Sequence, residues 1–154
     1  MTAVGTGTAR GVNPVVLSTD EIVLGGTAVL SGLHGFTITK YTSAGVLEPA
    51  FGTSGATISS IGLNAFATSA AVQSSDGKYV VGGAVSNGAS NSFGLARFNI
   101  DGTLDLRFGS GGFQTISLGS SSVTIPSGGI ATYGFEVAIS GLIGSLNGVS
   151  MVCQ

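Results

Sequence analysis

Charge is scarce in this chain. Only 8% of its 154 residues are Asp, Glu, Lys or Arg, against about 25% in an ordinary soluble domain. The net charge is −2 and the five basic residues are dispersed. Without a basic stripe to neutralise phosphates, nucleic acid is excluded as a partner. From residue 108 to the C-terminus the one charged side chain is Glu136. There is one histidine, one cysteine and no tryptophan. The lone Cys153 closes no internal disulfide, and no His-Asn or His-Asp set stands with it, as nucleophilic catalysis would require. No apolar run approaches the roughly 20 residues of a membrane helix, so no membrane span is expected. Residues 1–5 lack the basic start and apolar core of a signal peptide.

What the chain has in quantity is apolar and small residues: 43% are hydrophobic and 27 are glycine. Its β-branched and aromatic content argues against disorder. The glycines show no three-residue period, which excludes collagen. A surface this poor in charge falls short of what keeps a monomer apart from its neighbours in solution. Burial of much of that surface against copies of the same chain, or against another protein, is therefore expected.

The decisive feature is a repeat. Residues 36–55 align without a gap on residues 93–112, at an offset of 57. Six positions are identical: Phe36/Phe93, Gly45/Gly102, Leu47/Leu104, Phe51/Phe108, Gly52/Gly109 and Gly55/Gly112. Ile38/Leu95, Lys40/Arg97, Tyr41/Phe98, Glu48/Asp105 and Thr53/Ser110 are close exchanges. Upstream, residues 16–26 echo 72–83 with Gly77 as the one insertion, and residues 57–59 are answered by 115–117. Repeats of this length are units that bury their apolar faces only against their neighbours.

Within the repeat, apolar and polar residues alternate and no helical period is sustained. Phe36, Ile38 and Lys40 fall on one face of a strand, Thr37, Thr39 and Tyr41 on the other. Further strands are predicted at 56–61, 67–73 and 78–84, with Ser75, Asp76 and Gly77 turning a hairpin between the last two. That makes about four short strands per repeat, the size of a propeller blade. The fold class is all-β: antiparallel four-stranded, propeller-like blades, about two of them. Residues 1–119 are read as the repeat region, divided into a part-unit 1–31, a full unit 35–91 and a part-unit 92–119. Residues 120–154 break the pattern, with strands expected at 123–125, 131–139 and 149–152. They read as a divergent β segment, either a capping blade or the edge of a sandwich-like module.

The block at 93–112 and the Asp76-Gly77-Lys78 turn with its following apolar and glycine positions resemble the delta-60 repeat family. That family's β-rich repeats occur in tandem in large bacterial and some viral proteins. The resemblance covers about residues 15–118. It implies propeller-like blades and carries no shared catalytic residues.

Individual residues add little chemistry. His34 reads as a turn or packing residue. Asp101 and Asp105 flank a turn but lack the dense acidic spacing of a calcium loop; a hydrolase reading would rest on these two. The Gly5-Thr6-Gly7 stretch lacks the spacing and following helix of a nucleotide loop. Glu48 and Asp105 are expected to pair with Lys40 and Arg97. Phe51 and Phe108 are expected to fill equivalent buried corners, each costing roughly 3–5 kcal/mol on truncation to Ala. No catalytic residue, metal or cofactor is expected.

The function expected is that of a non-enzymatic structural or interaction protein. Such a protein assembles into a homo-oligomer, ring or filament, or docks on a larger extracellular, cell-surface or virion assembly. Tyr133, Phe135, Val137 and Ile139 form its candidate assembly face. The alternative is a carbohydrate-binding module with Tyr41, Phe66, Tyr79 and Asn87 as sugar contacts. Two blades cannot close a ring that takes about four to eight. The ring is completed by copies, the blades stack openly, or the chain is a piece of a longer protein.

Overall fold

The structure, a computed structural model, describes residues 4–116. The strands expected at 123–125, 131–139 and 149–152 lie outside the described residues, as do Tyr133, Phe135, Val137, Ile139 and Cys153. Eight strands form two four-stranded antiparallel sheets, each a simple meander. The first contains β1 (Ala9–Val16), β2 (Ile22–Leu30), β3 (Leu33–Tyr41) and β4 (Ala56–Ser59). The second contains β5 (Asn64–Val72), β6 (Tyr79–Ser86), β7 (Asn91–Phe98) and β8 (Phe113–Ile116). Each β2–β4 strand recurs as β6–β8 at the offset of 57 that the sequence carries.

Hydrogen bonding sets the phase of the repeat. Residues 60–63 cross from one sheet to the other, so the structural units run from β1 to β4 and from β5 to β8. The sequence divisions at 31/35 and 91/92 fall at the starts of β3 and β7, inside the sheets. A periodic pattern has no intrinsic origin. Only the pairing shows where one unit stops.

Local chemistry explains the connections. The β5–β6 hairpin turns at Ser75, Asp76 and Gly77 as expected, with the Gly77 amide donating to the Gln73 carbonyl at 2.8 Å. After β3 and β7 the chain makes matching turns: Gly45 N–H donates to Thr42 O at 2.8 Å, and Gly102 N–H to Asn99 O at 2.9 Å. The Phe-Gly corners match as well, Gly55 donating to Phe51 O at 2.8 Å and Gly112 to Phe108 O at 2.9 Å. β1 is an edge strand, which is where a proline such as Pro14 is tolerated, and a register shift between Val12 and Pro14 bends it.

One core lies between the sheets. The register places Val23, Phe36 and Ile38 on the face of the first sheet that meets the second. From the second sheet come Ala65, Ala67, Tyr79, Val81, Val85, Ala96 and Phe98. By the repeat, this face of the second sheet corresponds to the opposite, outer face of the first. The sheets therefore stack front to back, in the same sense, as successive propeller blades do.

Candidate functional site

The contact between the two blades, the seam, is built from a few specific joints. Phe36 (0% exposed) and Ile38 lie against the second sheet. Gly25 allows close approach, since a Cβ there would collide with that of Ala70. Thr27 Oγ1 accepts a hydrogen bond from the Ala67 amide at 2.7 Å, holding β2 to β5 where the latter's ladder shifts register. His34 binds Asn64 twice, through its amide (3.0 Å) and through Nδ1 (3.1 Å), and its ring lies 4.7 Å from that of Phe66. That is a packing role.

Phe51 closes the outer end of the seam. Its ring meets Tyr79 edge-on at 5.8 Å. A Cβ on Gly102, in the turn of the second blade, would come within 2.7 Å of the Phe51 ring. The Gly52 amide donates to the Asp101 carbonyl at 2.7 Å. Phe108 occupies the matching corner of the second blade but has no third blade beyond it. It is only half-buried, with the Arg97 guanidinium 4.6 Å from its ring centre. The expectation of two equally buried corners is thus corrected: the position repeats and the burial does not.

Two outward faces repeat the two sides of this seam; on the outer face of the first sheet Ala28, Thr37 and Thr39 are already buried. On the far face of the second sheet, Phe93 takes the place of Phe36 and is 61% exposed; Leu95, in place of Ile38, is half-buried. On the outer face of the first sheet, Ile22, Leu24 and Tyr41 stand where Tyr79, Val81 and Phe98 stand in the second. They are half-buried, whereas those three are sealed.

The ionisable groups are occupied locally. Lys40 pairs with Glu21 at 2.9 Å rather than with Glu48 as expected. Glu48 instead accepts from the Ala50 amide at 3.2 Å. The reason is an exchange of sign: the position of Glu21 is held in the second blade by Lys78. Asp105, buried, therefore takes both Lys78 (2.9 Å) and Arg97 (2.8 Å). The Lys78 hydrogen bond, followed by those from the Arg107 amide and Arg97, holds the Asp105 carboxyl below the usual carboxylate range despite its burial. Asp101 is likewise lowered, by the Thr103 hydroxyl at 2.7 Å and the Thr103 amide at 2.9 Å. Asp101 is thus engaged in a turn and Asp105 in an ion pair. Glu21 is lowered by Lys40 and then by Thr19.

The four sugar-contact candidates do not converge. Tyr79 is 3% exposed, in the seam, where burial pushes its phenol upward from its ordinary value. Tyr41 lies on the first sheet's outer face. Asn87 turns the chain after β6, its Oδ1 accepting from the amides of Ala89 (2.9 Å) and Ser90 (2.8 Å). Phe66 is 47% exposed and lines a cavity of about 270 Å³ with Thr8, Arg10, Thr27 and His34. Reading the sequence missed this grouping, because β1 and the residues before it carry little periodic signal.

The family model described as "Domain of unknown function (DUF5122) beta-propeller" matches residues 74–108, from the β5–β6 hairpin to the second Phe-Gly corner. The chain carries β-propeller-like repeats. No curated protein and no solved structure matches it. Among the described residues no helix is long and apolar enough to cross a membrane.

Proposed function

We propose that this chain is a non-enzymatic structural or interaction protein whose blades assemble with further copies, on a larger cell-surface, filament or virion structure outside the cell. The observation that carries this reading is the far face of the second sheet, where Phe93 is 61% exposed, in a chain that is 8% charged. Isolated exposed hydrophobes are ordinary, but a row that repeats a sealed interface favours a partner. Commitment of Asp101, Asp105 and Lys78 to local pairs supports the non-enzymatic side. We also read the repeats as delta-60 type, on the motif at 93–112. Light scattering across protein concentration tests the reading. A mass rising in whole multiples of the 15.0 kDa chain is expected; a monomer throughout would overturn it.

The cavity at Phe66 favours a second reading, carbohydrate binding. A half-exposed ring beside Arg10, Thr8 and His34 offers a stacking platform with hydrogen-bonding groups around it. Saturable binding on a glycan array that disappears in Phe66→Ala would put this reading first.

A further inference from the structure

Resting on the self-assembly reading, we propose that copies join head to tail: the far face of β5–β8 in one copy packs on the outer face of β1–β4 in the next, recreating the internal seam. The argument is one of equivalence. The far face repeats, at an offset of 57, the face that carries Phe36 and Ile38. The outer face repeats the one that carries Tyr79, Val81 and Phe98. Each copy therefore presents both halves of an interface whose packed form already exists within it. The two faces differ, so no single contact is self-complementary. The contact is heterologous and adds copies in one direction until a ring closes.

Matching positions predict the contacts. Phe93 enters the neighbour's outer face as Phe36 enters the core against the second sheet. Phe108 takes the neighbour's Gly45 turn as Phe51 takes that of Gly102. Space exists for it, because a Cβ on Gly45 would have nothing within 4 Å, whereas one on Gly102 meets the Phe51 ring. The backbone agrees. Gly52 N–H donates to Asp101 O, while the matching Gly109 amide donates to nothing among the described residues. Its partner in the next copy is the Ala44 carbonyl. Three joints are lost: Ala84 stands where Thr27 accepts from Ala67, Asn91 and Thr8 stand where His34 binds Asn64, and Ile22 stands where the Tyr79 ring meets Phe51. The contact between copies is accordingly weaker than the internal seam and reverses on dilution. At two blades per copy, a ring of about four to eight blades closes with about two to four copies.

A mixing experiment with the full chain tests the direction of assembly. Phe93→Arg charges the far face and Val16→Arg the outer face. Both sites are exposed (61% and 65%), so each monomer should fold, and far-ultraviolet circular dichroism and melting check that it does. Each variant alone is expected at the monomer mass, because each has one usable face. Mixed in equal amounts they should form one-to-one dimers of twice that mass and nothing larger. Dimers of either variant alone would show a face pairing with itself and overturn the head-to-tail geometry while leaving self-assembly standing. A mixture of monomers beside an assembling wild type would overturn it in the same way. A wild type that stays monomeric, its far face covered by residues 117–154 or reserved for another protein, would overturn the self-assembly reading itself.

Discussion

Phe36 and Phe93 occupy the same position in successive repeats, yet Phe36 is 0% exposed and Phe93 is 61% exposed. Their backbones are alike, each pairing with the edge strand that follows it, Phe36 with Ser59 and Phe93 with Ile116. What separates them is a neighbouring blade. One chemical group placed twice, once with a partner and once without, is an internal control for what the seam contributes.

The first prediction uses that control. Phe36→Ala should destabilise the monomer by about 3–5 kcal/mol, since it leaves a cavity in a packed core. Phe93→Ala in the dissociated monomer should stay within about 0.5 kcal/mol, as exposed substitutions do. Phe51 and Phe108 should divide in the same sense, Phe51→Ala costing more. Urea melts at low protein concentration measure all four. Equal losses for Phe36 and Phe93 would show that the seam is not where stability resides.

A second prediction concerns Gly45 and Gly102, whose φ angles are 76° and 84°. Alanine at either position has to adopt a left-handed backbone, costing about 1–2 kcal/mol. At Gly102 the new methyl group also meets the Phe51 ring. Overpacking of that kind adds about 1–3 kcal/mol, so Gly102→Ala should be the more damaging by that margin. Equal costs in thermal or urea melts would mean that Phe51 yields freely.

These pairs also show what the sequence made readable. The strands, the β5–β6 hairpin and the Phe-Gly corners follow from alternation and turn residues, and all are where the repeat puts them. β1 was not readable, because Gly11 and Pro14 interrupt its alternation and an edge strand tolerates both. The blade boundary was not readable either, because a period has no start. Burial was the least legible property. Phe51 and Phe108 are identical in sequence context, and only the stacking order makes one a core residue. The Glu21–Lys40 pair was hidden for a related reason: the second blade reverses the charge at Glu21's position, so the repeat pointed to Glu48.

The third prediction is a pH dependence. The Asp105 carboxyl is held below its ordinary value of 3.8 in the folded chain. A group lowered on folding stabilises the fold at pH above its unfolded value, and that contribution disappears as pH falls through the folded value. Asp105→Asn should therefore be less stable than wild type at neutral pH, and the difference should close in acid below pH 3.8. Urea melts of both proteins across that range measure it. A difference that stays constant with pH would show that Asp105 gains nothing from ionisation beside Lys78 and Arg97.

The central claim, that the face of Phe93 is covered by another copy, is tested most directly by fluorescence. The chain has no tryptophan, so Phe93→Trp introduces a single indole at the position in question. If Phe93 inserts between copies as Phe36 inserts between blades, emission is blue-shifted at high protein concentration. It then moves to the red on dilution, in step with the loss of mass in light scattering. Emission typical of a solvent-exposed indole at every concentration, with the assembly intact, would contradict the account.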